Sequence, residues 1–150
     1  YPSYHLSGWV SKPFKNNHLV QLGFTYAYYS SFYNYITSQE VDFKNKRLNS
    51  CTGIIFVGHE FVFGKFSLST QAGLYVFNPF FVKQKKIEGR WHIASERLEA
   101  LSTNRLGLLY YPLKKRNTLN NVKNQLMFGV FIKANLAQAD LIEYSVGYVF

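Results

Sequence analysis

The sequence has no long apolar run, although 47% of its 150 residues are hydrophobic. A membrane-spanning helix needs about 18 or more nearly uncharged apolar residues in succession. The longest apolar stretches here, such as Gly53–Val57 and Leu106–Tyr111, are far shorter. The mean hydropathy is only −0.13. We therefore expect no transmembrane helix.

The sequence is also poor in residues that mark disulfide, metal or phosphate sites. Its single cysteine, Cys51, excludes an intrachain disulfide. None of the four histidines stands at metal-ligand spacing from a second histidine or from the cysteine, and no Gly-rich phosphate-binding loop is present. No repeat or linker divides the chain. These absences predict a single domain over residues 1–150 that uses no metal or other cofactor.

Acidic residues are scarce: eight Asp and Glu face 17 Lys and Arg, which gives a net charge of +9. Nucleic acid, anionic lipid and acidic protein are the partners that such a charge suits. The basic residues cluster between apolar runs, as at Lys83, Lys85, Lys86 and at residues 114–116. We interpret these clusters as solvated loops near phosphate headgroups, and we expect lipid rather than nucleic acid as the partner.

Aromatic residues are abundant, with 12 Tyr and 14 Phe, and many of them recur with a period of two. The final segment, Ala139–Phe150, is the clearest example. Its even positions from Ile142 to Phe150 are apolar or aromatic, whereas Glu143, Ser145 and Gly147 occupy odd positions. Alternation of this kind is typical of a β-strand with two different faces. A last strand that ends in Phe resembles the assembly signal of bacterial outer-membrane proteins.

Similar alternation predicts seven strands, at about 4–12, 18–30, 52–63, 66–77, 105–112, 124–135 and 139–150. Several of them are long enough to cross a bilayer at a tilt, whereas strands of soluble proteins are usually about five or six residues long. The fold class we predict is an all-β, antiparallel transmembrane β-barrel of about eight strands in the bacterial outer membrane. A soluble lipid-carrying barrel is the alternative. The stretch Ile87–Thr103 is expected to hold a short helix, because Ala94–Ala100 has good helix formers, and Ser95 is its expected cap.

Seven strands leave a closed barrel one strand short. Single-chain bacterial barrels normally have an even number of strands, and an open edge in lipid leaves backbone groups unpaired at several kcal/mol each. We therefore expect that a first strand upstream of Tyr1, or a partner, completes the barrel.

Five polar residues are expected to point inward, into a lumen that side chains fill in a small barrel: Glu60, Arg105, Lys133, Asn135 and Glu143. Opposite charges there should pair, because an isolated buried charge is costly. A structural polar network is one interpretation. A catalytic or ligand-binding site is the other.

Three stretches, Val57–Pro79, Asn104–Tyr111 and Gly129–Phe150, resemble the PagL-type lipid A 3-O-deacylase family, in its Bacteroidota branch known as acyloxyacyl hydrolases. The resemblance implies an outer-membrane barrel that removes an ester-linked acyl chain from lipid A. In that family a His-x-Ser pair on the penultimate strand and a Glu on the last strand supply the base, the nucleophile and the residue that orients the base.

The resemblance places Glu143 at the position of the family's Glu, and Lys133 and Asn135 at the positions of its His-x-Ser pair. Neither Lys133 nor Asn135 supplies a nucleophilic oxygen. We therefore predict a non-catalytic barrel that serves as a scaffold or as a subunit of an outer-membrane complex, in contact with lipopolysaccharide and other outer-membrane proteins. A lipid A 3-O-deacylase is the alternative function.

Overall fold

Seven antiparallel strands form one sheet in the computed structural model, which describes residues 3–38, 45–89, 91–112, 125–135 and 138–149. Each strand pairs with its neighbours in sequence, in the order β1 to β7. The strands are β1 (Ser3–Lys15), β2 (His18–Tyr29), β3 (Cys51–Phe63), β4 (Phe66–Phe77), β5 (Ser102–Tyr110), β6 (Gln125–Asn135) and β7 (Gln138–Val149). The predicted all-β fold class and its seven readable strands are confirmed.

Two tight turns mark one end of the sheet, which we call the turn end. Asn17 and Gly64 adopt left-handed backbone conformations there, with φ of 67° and 64°. Two-residue hairpins that match the twist of their strands need residues of this kind. The opposite end, which we call the helix end, carries α1 (Ser30–Ser38), α2 (Lys46–Asn49), α3 (Pro79–Ile87) and α4 (Ala94–Leu101).

The sequence predicted α4 but neither α1 nor α3. These two helices meet through aromatic packing: the Phe32 and Phe80 rings stack at a centroid distance of 4.3 Å, and Ile36 is fully buried beside Phe80. The predicted cap of α4 is wrong, because the helix begins after Ile93 and no side chain caps it. None of the helices that the structure describes is long and apolar enough to cross a membrane.

The basic cluster at Lys83, Lys85 and Lys86 lies on α3 and not in a solvated loop as expected. Lys85 is buried within this helix, with 7% of its surface exposed. The other predicted basic cluster, at residues 114–116, lies outside the described residues, and so does the terminal Phe150.

The side chains of each strand alternate between the two sides of the curled sheet. Even-numbered residues of β2, β4, β5 and β6 point outward and are mostly apolar, while odd-numbered residues of β3 do the same. The opposite residues point into the curl, which we call the lumen. A single register slip would exchange the two sets, so the pattern fixes the pairing.

Aromatic and aliphatic side chains pack within the lumen around Trp9 of β1. This ring contacts one buried cluster formed by Leu109, Tyr111, Met127 and Phe131, and a second formed by Ile54, Phe56 and Tyr75. The ring of Phe131 lies directly over Gly107, where an added Cβ would come within 2.2 Å of it. Glycine is required there because the lumen leaves no room for a methyl group.

A seam separates the first and last strands. β1 and β7 stand at opposite ends of the strand order, and no backbone ladder joins them among the described residues. Their inward side chains nevertheless meet, since His5 Nδ1 lies 3.2 Å from Glu143 Oε1. Outward residues beside the seam lack a neighbour on one side: Tyr144 is 83% and Leu6 75% exposed, whereas Leu108 in the middle of the sheet is 48% exposed.

We expect Gly107→Ala to destabilise the protein by about 1–3 kcal/mol, because the methyl group must displace the Phe131 ring. Gly8→Ala is the matched control, since nothing lies within 4 Å of an added Cβ at that position. Urea unfolding of both variants in detergent micelles measures the difference. Equal midpoints for the two variants would contradict this packing.

Candidate functional site

A chain of hydrogen-bonded polar side chains runs through the lumen and begins at Glu60. This carboxylate is 1% exposed, and it accepts hydrogen bonds from Gln21 Nε2 at 2.6 Å, Ser67 Oγ at 2.5 Å and Tyr111 Oη at 2.8 Å. Three donors, from β2, from β4 and from the residue that follows β5, therefore compensate for its burial. Hydrogen-bond donors surround Glu60, where the sequence suggested an ion pair.

Gln21 and Gln71 extend this chain toward the middle of the lumen. Gln71 Nε2 donates to Gln21 Oε1 at 3.3 Å, and its own Oε1 accepts from the Arg105 guanidinium at 3.1 Å. Arg105 also forms an ion pair with Glu143 and stacks 4.6 Å from the centre of the Phe131 ring. Both charged side chains are less than 10% exposed, so each depends on the other for compensation.

Lys133 on β6 is the register partner of Arg105 and points to the same inward side. It is 4% exposed, and its Nζ donates to Tyr29 Oη at 2.5 Å. The ammonium also lies 5.0 Å from the Tyr29 ring centre and 5.4 Å from that of Tyr75, which are cation–π distances. Two tyrosine rings and one tyrosine hydroxyl therefore contact this ammonium. The backbone of Asn135 belongs to β6, but its side chain lies outside the described residues.

His5 joins Glu143 from across the seam. Its Nδ1 faces Glu143 Oε1 at 3.2 Å, and its ring meets Tyr29 edge-on at 5.3 Å. The other ring nitrogen, Nε2, is buried and has no hydrogen-bond partner among the described residues. Glu143 thus contacts Arg105 through one oxygen and His5 through the other.

Ser7 stands two residues after His5 on the same inward face of β1. Its hydroxyl lies 2.8 Å from that of Thr25 on β2. His5, Ser7 and Glu143 all line a cleft of about 390 Å³ at the seam. The chain therefore contains a His-x-Ser pair beside the inward Glu of the last strand. This pair lies on the first strand of the sheet and not on the penultimate strand.

Sequence reasoning missed His5 and Ser7 because it sought the pair where the family resemblance placed it. The signal was available: a His and a Ser two residues apart on a strand share a face. A curling sheet also brings its first strand toward its last. No group of three or more His, Cys, Asp or Glu side chains with metal-binding geometry occurs in the part of the chain that the structure describes.

One comparison with known proteins gives a match. Residues 1–95 match the family described as acyloxyacyl hydrolase, C-terminal domain. This segment holds His5, Ser7 and Glu60, whereas Arg105, Lys133 and Glu143 follow it in sequence. No curated protein and no solved structure matches the chain.

We expect Arg105→Met to destabilise the protein by about 3–5 kcal/mol, because it leaves the Glu143 carboxylate buried without its cation. Adding Glu143→Leu should recover much of that loss, since the double variant buries neither charge. Lys12→Met, at an exposed position of β1, is the control and should change stability by less than about 0.5 kcal/mol. Additive losses in the double variant would argue against an energetic coupling of the pair.

Proposed function

We propose that this chain, which belongs to the acyloxyacyl hydrolase C-terminal domain family, forms part of the wall of a bacterial outer-membrane β-barrel. Its role there is structural and non-catalytic. Its surroundings would be lipopolysaccharide and other outer-membrane lipid, together with the polypeptide that completes the barrel. The open seam between β1 and β7 is the observation that carries this proposal.

The outward face of the sheet supports a place in lipid. Large apolar side chains point outward along all seven strands, and four examples from the middle of the sheet are Leu22, Val57, Leu108 and Val130. Exposed apolar patches on soluble monomers rarely exceed a few hundred Å². A face that is apolar along every strand fits hydrocarbon better than water.

The seam supports a role as one component of a larger barrel. Unpaired N–H and C=O groups in hydrocarbon cost several kcal/mol each, so the free edges of β1 and β7 need a partner strand. An odd number of antiparallel strands makes β1 and β7 run in the same direction, and one antiparallel strand can pair with both. The contact between His5 and Glu143 limits the distance between β1 and β7 to about the width of one inserted strand.

The lumen supports a structural role. Glu60, Arg105 and Glu143 are all engaged in hydrogen bonds or ion pairs with other protein groups. Lys133 is held against two tyrosine rings, and neither it nor Asn135 supplies a nucleophilic oxygen. Lys133 and Asn135 occupy the positions at which the resemblance to lipid A deacylases would require the His-x-Ser pair.

Paired cysteines test the seam in the native membrane. In a Cys51→Ser background, Leu6→Cys with Tyr144→Cys places two thiols on either side of the seam. We expect no disulfide between them, because a strand between β1 and β7 separates their Cα atoms by about 10 Å, beyond the reach of a disulfide. The positive control is Val10→Cys with Leu22→Cys, which are register partners on β1 and β2. Labelling of the free thiols and mobility on a non-reducing gel report whether the disulfide has formed.

Rapid disulfide formation across the seam, at the rate of the control pair, would contradict the proposal, because it would mean that β1 and β7 pair directly. Absence of the bond across the seam, with formation in the control, supports a strand between them.

A second function rests on a different observation, the grouping of His5, Ser7 and Glu143. These residues have the types and the strand spacing of the catalytic set in lipid A 3-O-deacylases. Glu143 would hold the Nδ1–H of His5, and His5 Nε2 would take the proton of the Ser7 hydroxyl as Ser7 attacks the ester carbonyl. The alcohol would leave with that proton, and water would then release the acyl group from Ser7 as a free fatty acid.

Mass spectrometry of lipid A before and after exposure to the purified, folded protein separates the two functions. The structural proposal predicts no loss of an acyl chain. The hydrolase predicts release of one fatty acid per lipid, at a rate reduced at least about a hundredfold by Ser7→Ala. Ser11→Ala, at an exposed position further along β1, is the matched control. Release that persists in Ser7→Ala would exclude this set of residues.

A further inference from the structure

Two histidines far apart in sequence meet on the outward face near the turn end. His18 begins β2, and His59 lies on β3. The register pairs Val20 with His59 and His18 with Phe61, which makes the two histidines diagonal neighbours. His18 Nδ1 lies 2.8 Å from His59 Nε2, and the two rings stack with their centroids 5.0 Å apart.

Both rings are accessible from outside. His59 is exposed and His18 is partly exposed, and with Phe14 and Val20 they line an open depression. The other outward residues of β2 from Val20 to Tyr26 and of β3 from Ile55 to Phe63 are all apolar or aromatic. The exposed side chain of Thr70 on β4, the register partner of His59, is the polar neighbour of this pair on the outward face.

The pair lies beside the turn between β1 and β2, where water reaches both nitrogens, and a hydrogen bond between accessible imidazoles contributes little to stability there. The pair therefore has no evident structural purpose that an aromatic or aliphatic pair would not serve better at this place. Its two nitrogens, however, have the spacing of adjacent metal ligands, and a turn of each accessible ring by about 45° would direct both lone pairs at one ion instead of at each other. Two bonds of 2.0 Å at a right angle separate their nitrogens by about 2.8 Å, the arrangement of neighbouring ligands in tetragonal copper sites.

We propose that His18 and His59 form a surface site for a divalent transition metal, with Cu²⁺ bound most tightly. Imidazole nitrogens suit copper, nickel and zinc, and Cu²⁺ stands highest among these metals in affinity for such ligands. His18 Nδ1 and His59 Nε2 coordinate the ion, and each ring carries its proton on its other nitrogen. Both rings bind as neutral imidazoles, so a tautomer change suffices and no proton is lost overall. Water completes the coordination.

Isothermal titration of the purified, folded protein in detergent with Cu²⁺ measures this site, on protein that carries no polyhistidine tag. We expect binding of one ion per chain. His18→Gln and His59→Gln should each weaken it at least about tenfold, because either change replaces a two-point attachment by a single ligand. Electron paramagnetic resonance of the bound Cu²⁺ should show splitting from two imidazole nitrogens in the parent and from one in each variant.

His92→Gln is the matched control, since His92 is exposed and lies outside the sheet, and it should bind Cu²⁺ like the parent. Circular dichroism checks that every variant retains the strand signal. The proposal fails if the parent binds no Cu²⁺, if the double variant His18→Gln/His59→Gln binds as tightly as the parent, or if His92→Gln is the change that removes binding. A signal from only one imidazole nitrogen in the parent would also overturn it.

Discussion

The lumen depends on the ion pair between Arg105 and Glu143. These side chains come from β5 and β7, and Gln71 and His5 connect the pair to β4 and β1. A buried carboxylate and a buried guanidinium each destabilise the fold when the other is absent. This one ion pair therefore favours the strand register that brings the two side chains together. The aromatic packing follows from it, because Arg105 stacks on Phe131, and the Phe131 ring in turn lies over Gly107.

The apolar outward face explains why so many polar groups lie inside. Two-faced alternation leaves only the lumen for residues such as Glu60, Gln21 and Gln71. A narrow interior lets few waters reach them, and they satisfy one another in a continuous chain from Tyr111 to His5. A network of this kind is specific to one register, since moving any strand by one residue would expose its polar members to the outward side.

Sequence alone predicted the strands and their faces because period-two alternation is a local property that each segment shows by itself. It did not predict α1 and α3, whose residues are rich in Phe and Tyr and become helical through mutual packing of Phe32 and Phe80. It also missed both histidine contacts. His5 with Glu143 and His18 with His59 join residues 138 and 41 positions apart, and only the curl and the register of the sheet bring them together.

Glu143 shows why a structural and a catalytic interpretation can share the same residues. Its Oε2 is used by Arg105, but its Oε1 still faces His5 Nδ1, as the orienting carboxylate of a hydrolase does. The ion pair therefore does not by itself prevent His5 from acting as a base.

Two other features weigh against hydrolysis. The Ser7 hydroxyl is hydrogen-bonded to that of Thr25, and His5 Nε2 has no hydrogen-bond partner among the described residues. A strand that completes the barrel would also cover the cleft from the lipid side, and an acyl chain could then enter only from one end of the lumen. The identity of whatever fills the seam thus decides whether Ser7 can meet an ester at all.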